Sequence, residues 1–136
     1  MEGYYISTQA DKMDVTYIHN YLSHESYWAK GRSRAQVERS IASSLCFGLF
    51  DGDKQLGFAR ISTDYVVFAW LMDFFIDPEF RGHGLGKLLL ESILDHPDLQ
   101  EVNGIGLRTE DAHGLYKKYG FGEIPKPETW MFKDNR

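Results

Sequence analysis

The chain has 136 residues, of which 43% are hydrophobic and 26% charged, and a formal charge of −5; this is the size and composition of one ordinary folded domain spanning 1–136. That balance excludes a disordered or fibrous chain, and acids spread along the whole length leave no long-range attraction for a nucleic-acid backbone. Cys46 is the lone cysteine, no charged leader opens the chain and no apolar run is long enough to cross a bilayer, so the expectation is a cytoplasmic protein with no disulfide, no nucleic-acid partner and no membrane partner.

Residues 4–7 suit a short strand, and residues 11–23 carry Val15, Ile18 and Leu22 at spacings of three and four, which puts them on one helical face. An aperiodic loop comes next at 26–32, holding Tyr27 and Trp28 with Lys30 and Arg32. Ser33 and Gln36 form the pattern of a capping box, so a second helix starts there and runs to about Ser44. Residues 46–50 and 55–63 read as strands joined by the turn Asp51-Gly52-Asp53-Lys54. The run 66–76 is apolar except at Asp73 and stops at Asp77-Pro78. From Gly84 the period becomes helical, with Leu85, Leu88, Leu89 and Ile93 on one face, until Pro97. A strand is expected at 102–107. A short helix comes after it, with Ala112, Leu115, Tyr116 and Tyr119, closed by Gly120 at its C′ position. A last strand is expected at 130–133. Helices first and mixed strands and helices afterwards imply α/β layering.

The segment Arg81-Gly82-His83-Gly84-Leu85-Gly86-Lys87 joins a strand to a helix, so unpaired N–H groups and the positive end of the helix dipole converge on one spot that suits an anion. A glycine turn that serves only chain reversal is the other reading of these residues. The dinucleotide fingerprint needs G-x-G-x-x-G and the Walker loop needs Gly-Lys followed by Ser or Thr; Gly82, Gly84 and Gly86 stand two apart and Leu88 follows Lys87, so neither fits. What remains is Arg-x-x-Gly-x-Gly after a strand ending in Asp-Pro. With this motif the chain resembles the GCN5-related N-acetyltransferase (GNAT) family, and Leu115-Tyr116-Lys117-Lys118-Tyr119-Gly120-Phe121 matches a second family motif at the expected distance.

The resemblance implies a mixed, mainly antiparallel central sheet with helices on both faces, and two parallel strands splayed to admit acetyl-CoA. It implies that the backbone of Arg81, Gly82, His83, Gly84, Leu85, Gly86 and Lys87 cradles the pyrophosphate, and that the N–H groups of Phe74 and Ile76 serve the thioester end. It also implies that Tyr116 faces the sulfur as general acid, in a direct attack by a primary amine. The helical spacing of Tyr116 equally suits a packing aromatic. Asp73, the one charge in its run, needs either a polar cavity, where it would hold an ammonium or assist proton removal through water, or a neighbouring cation. Asp111 is expected as N-cap of the next helix, beside the cofactor channel, although the family often has Asn near there. Tyr27, Trp28, Arg32 and Asp64 are candidate acceptor-side residues, Arg32 suiting a substrate carboxylate; Tyr27 and Trp28 would alternatively pack the first two helices together. His113 reads as a surface or packing residue and Cys46 as a buried one, and no histidine or cysteine spacing suggests a metal. The partner expected is a small-molecule amine, with a monomer or homodimer as the assembly. A domain that binds CoA without turnover is the second reading.

Overall fold

The computed structural model describes residues 3–136, and most of its elements obey the periodicity of the sequence. In chain order they are β1 (Tyr4–Ser7), α1 (Val15–His24), α2 (Arg34–Ala42), β2 (Leu45–Asp51), β3 (Lys54–Thr63), β4 (Phe68–Ile76), α3 (Leu85–Leu94), β5 (Gly104–Leu107) and α4 (His113–Lys117). Asp14 starts α1 by accepting from the Tyr17 N–H at 3.0 Å. Ser33 and Gln36 close the full capping box on α2, each side chain taking the other's free N–H. The end of α4 is also as expected: the Phe121 N–H returns to the Tyr116 carbonyl and the Gly120 N–H to that of Lys117, a Schellman arrangement with Gly120 at φ 91°.

The strands lie in the order β1-β2-β3-β4-β5, with antiparallel neighbours from β1 to β4 and a parallel β4–β5 pair. Helices cover both faces of this mixed sheet, an α/β architecture. One face packs Ile18, Leu22, Val37 and Ile41 of α1 and α2 against Cys46, Phe58 and Phe75. The other packs Leu85, Leu89 and Ile93 of α3, with Tyr116 of α4, against Phe47, Leu49, Ile61 and Leu71.

One irregularity in β4 sets which residues face which side at the C-terminal end of the strand. Phe58 pairs with Phe75 and Arg60 with Met72, so two residue steps on β3 oppose three on β4, and Asp73 is the extra residue, at φ 54°. Side chains normally alternate between faces, so one inserted residue reverses the alternation beyond it. Ala69 and Leu71 face α3 before the bulge; after it Phe75 joins the α1–α2 face while Phe74 and Ile76 pack on the α3 side. The β4–β5 ladder stops at Leu71–Leu107, one residue short of Met72.

Three expectations change. β4 starts at Phe68 instead of residue 66, because one Asp64 carboxylate oxygen accepts from the N–H groups of Val66, Val67 and Phe68 (3.0, 2.8 and 3.1 Å) and holds them in a turn. Asp111 does not cap α4: Ala112 is the N-cap residue, and its N–H is satisfied by the Thr109 hydroxyl at 3.1 Å. No strand forms at 130–133. Pro125 and Pro127 lack N–H donors and Lys126 adopts φ 50°, so the chain leaves the sheet unpaired, with Trp130, Met131 and Phe132 exposed at 58%, 96% and 77%.

Because the capping box satisfies two donors at the start of α2, Ser33→Ala should lower stability by about 1 kcal/mol; urea denaturation with an unchanged slope and a lower midpoint is the expected record.

Candidate active site

The glycine segment runs from the end of β4 into α3. Gly82 and Gly84 take φ 85° and 76°, left-handed conformations that side-chain-bearing residues rarely adopt, and a Cβ at Gly82 would project into open space. The first helical bond of α3 runs from the Leu88 N–H to the Gly84 carbonyl. The N–H groups of Gly84, Leu85, Gly86 and Lys87 therefore donate to no protein acceptor among the described residues, and such unpaired donors at a helix start are suited to an anion. His83 and Lys87 are exposed. The Arg81 side chain is drawn backwards instead of towards these donors. Its Nε donates to the Ile76 carbonyl at 3.2 Å and one terminal nitrogen to the Tyr21 hydroxyl at 2.7 Å. Tyr21 in turn stacks on Phe75, centroids 3.9 Å apart. Burial raises the Tyr21 phenol pKa, while the Arg81 guanidinium opposes that rise.

Beside this loop the splay of β4 from β5 leaves the edge from Met72 to Ile76 without a ladder partner on the β5 side. Phe74 lies on this stretch, and its ring meets Tyr116 edge to face with centroids 5.8 Å apart. The Tyr116 hydroxyl has no hydrogen-bond partner among the described residues, where no polar side-chain atom is both sealed and unpaired; the hydroxyl thus opens onto the cleft. Burial above all, then the nearby Tyr27 and Asp111, raises its pKa above that of an ordinary phenol. Tyr27 spans the cleft, its hydroxyl accepting from the Glu110 N–H at 2.9 Å. Asp111 is exposed, with one oxygen 3.4 Å from the Thr109 hydroxyl.

On the opposite face, Asp73 is 5% exposed and its carboxylate is fully engaged. The Trp28 indole N–H donates to one oxygen at 2.8 Å; Arg32 and the Arg60 Nε donate to the other at 2.7 and 2.6 Å. Of the two roles open to this acid, the structure gives it the cation-paired one. Ser26 shapes the loop that supplies these donors: its hydroxyl donates to the Leu22 carbonyl and accepts from the Ala29 N–H. Trp28 also packs edge to face with Tyr27, at 5.0 Å.

The fold thus brings Tyr27, Trp28, Arg32, Asp73, Phe74, Ile76, Tyr116 and the glycine loop around one end of β4. Asp64 lies apart, at the turn before the other end of that strand. His113 is exposed, and Cys46 is buried, its thiol pKa pushed up to about 11 by desolvation. No group of three or more metal-ligating side chains occurs among the described residues, and no helix there is long and apolar enough to cross a membrane. Two participants escape the motif reading. Arg60 is the lone charge in the run 55–63, the same signal that singles out Asp73, whereas Tyr21 gives no sign in the sequence of its bond to Arg81.

The chain matches the model of the acetyltransferase (GNAT) family over residues 15–121. A solved structure from Xanthomonas campestris pv. campestris assigned to the GNAT family is 42% identical, superposes with a TM-score of 0.95 and aligns over 98% of this chain and 94% of its own. The uncharacterized N-acetyltransferase ycf52 of Pyropia yezoensis is 36% identical over 94 residues, 68% of this chain, so the chain spans about half (54%) of that relative. A protein of Clostridium acetobutylicum solved with acetyl-CoA shares the fold at 15% identity, with a TM-score of 0.70 over 96% of this chain and 94% of its own.

Asp73→Asn keeps the size of the side chain and its tolerance of φ 54° but removes the charge between two guanidinium groups. The expected result is a loss of about 3 kcal/mol in chemical denaturation, as for breaking a buried ion pair.

Proposed function

From the chain's membership of the acetyltransferase (GNAT) family, we propose that it is an acetyl-CoA-dependent N-acetyltransferase that acetylates a primary amine of a small molecule. The observation that carries this reading is the nest of unpaired N–H groups at the start of α3, set beside a strand edge that the parallel ladder leaves open. The residues fit the cofactor. Gly84 to Lys87 offer donors for a pyrophosphate, Gly82 leaves space above the backbone, and Lys87 adds local positive charge in an otherwise acidic chain. The protein of Clostridium acetobutylicum solved with acetyl-CoA has the same fold, which supports the assignment.

Acetyl-CoA, when bound, supplies the acetyl group as an activated thioester. The chain's own residues do the rest. The backbone of Gly82 to Lys87 binds and orients the cofactor, and the open β4 edge at Phe74 and Ile76 offers peptide groups for the thioester end. Tyr116 holds a proton at its hydroxyl for the departing sulfur; burial secures that proton, because a neutral phenol is the favoured form out of water. The neutral amine nitrogen would form the new bond to carbon as the carbon–sulfur bond breaks; the sulfur would take the Tyr116 proton, and the proton lost by the nitrogen would return through water to the Tyr116 oxygen, restoring the phenol. Asp73 acts here as a positioning residue, since three donors already occupy its carboxylate.

Thermal-shift titration should show stabilisation by acetyl-CoA and CoA and none by NAD or ATP; stabilisation of a few kcal/mol at saturation is the expected scale. Gly84→Asp places bulk and negative charge in the nest and should abolish that shift. Tyr116→Phe should lower kcat by roughly 100-fold or more with the KM for acetyl-CoA unchanged. Since the folded-state pKa lies above the ordinary 10.0, the proton is retained as pH rises towards 10 and the wild-type kcat should show no alkaline decline there; a fall in kcat centred near pH 8 to 9 would remove Tyr116 from the role.

A further inference from the structure

The acceptor side of the sheet contains an imbalance of charge. A cavity of about 440 Å³ lies over the Asp73 bulge, and Trp28, Lys30, Arg32, Gln36, Ser40 and Arg60 are among its lining residues. Three of these are cations and none is an acid. Asp73, paired with Arg32 and Arg60 behind this lining, compensates one positive charge only, so the site keeps an excess of cation within a chain whose formal charge is −5. The cavity is a shallow hollow open to solvent, with room for a small charged group.

The guanidinium groups are only partly used. Arg32 donates one terminal nitrogen to Asp73; Arg60 donates Nε to Asp73 and one terminal nitrogen to the Ser44 hydroxyl at 3.1 Å. Each therefore retains a terminal nitrogen with no protein acceptor. As no side-chain nitrogen or oxygen among the described residues is both sealed and unpaired, those groups are reached from outside, with Arg32 and Arg60 side chains 24% and 13% exposed. Both are held rigidly by the same carboxylate, so their free edges are fixed before anything binds. Two fixed guanidinium edges with Lys30 beside them match a planar monoanion, which forms paired charge-assisted bonds to guanidinium. Ser40 and Gln36 supply further polar contacts at the wall.

We propose that this cavity binds a carboxylate of the acceptor, so that the amine to be acetylated belongs to an amino acid or a similar small aminocarboxylate. The inference rests on the acetyl-transfer reading for the fate of the amine, but the carboxylate site stands on its own geometry. Phe74, against which Tyr116 packs, directly follows Asp73 in β4 and points to the other face. The strand is thus the partition between the anion cavity and the cleft, and an acceptor reaching around the open β4 edge would present its amine to the cleft while its carboxylate stays in the cavity.

Two measurements on the full chain test this. The first is isothermal titration with succinate at constant ionic strength, which needs no turnover. Saturable binding is expected in the wild type, weakened about tenfold or more in Lys30→Ala and in Arg32→Gln; Lys30 is exposed and makes no ion pair among the described residues, so its variant folds even where Arg32→Gln does not. The second compares kcat/KM, with acetyl-CoA saturating, for an ω-amino acid, its neutral amide and its phosphonate counterpart. The carboxylate is expected to be preferred at least tenfold over the amide, through KM, and Lys30→Ala to shrink that preference. Succinate binding without acetylation of any amine would uphold the carboxylate site and sink acetyl transfer. Equal use of the amide, preference for the phosphonate, or no saturable succinate binding would overturn the carboxylate site while leaving acetyl transfer standing.

Discussion

The carboxylate of Asp73 receives an indole N–H and two guanidinium groups from the α1–α2 connection and from β3, and the bulge beneath it persists because of them. A left-handed residue other than glycine costs of order 1 to 3 kcal/mol, and the ion pairs of a nearly buried acid are of the size needed to offset that. Everything at the end of β4 depends on the result. Were the strand to run regularly through Asp73, Phe74 and Ile76 would face α1 and Phe75 would face α3. The same three donors fix the loop that bears Trp28 and Arg32, so the wall of the proposed acceptor cavity and the course of β4 beside the proposed cofactor cleft have a common origin.

A second linkage joins the two sides of the site through Arg81. Its position at the head of the glycine loop suggests a phosphate contact, yet its side chain spans from the Ile76 carbonyl to Tyr21 on α1. On the proposed reading, backbone donors are thereby left to hold the anion, with charge contributed more distantly. That division suits an acidic protein. Oriented peptide dipoles attract a pyrophosphate locally whatever the net charge of the surface around them.

Much of this was legible in the sequence because local physics dictates it. The capping box at Ser33, the Schellman glycine at Gly120 and the glycine loop after Asp77-Pro78 each depend on a few neighbouring residues, and each stands in the structure as its pattern requires. Asp73 was conspicuous as a lone charge, but its partners lie 45, 41 and 13 residues away, a separation no period reveals. Two failures have the same cause. Asp111 falls one residue short of the α4 N-cap, which is Ala112, a residue whose own N–H is taken by the Thr109 hydroxyl. The segment 130–133 has the apolar and aromatic side chains of a strand, but pairing needs a neighbour, and two prolines with a left-handed Lys126 carry the backbone away without one.

The bulge also divides the wall of the proposed acceptor cavity into parts that are free to vary and parts that are not. Replacing Lys30, Gln36 or Ser40 alters a cavity surface and leaves every strand register intact, since none of them lies on the sheet. Losing Asp73 or Arg60 removes the reason for a one-residue insertion, and a one-residue slip exchanges the faces of every later residue on the strand. Granted the proposed site, divergence towards new acceptors is channelled: the helix and loop rim can drift one substitution at a time, while the acid and its β3 partner can change only together with the register of the strand that carries them.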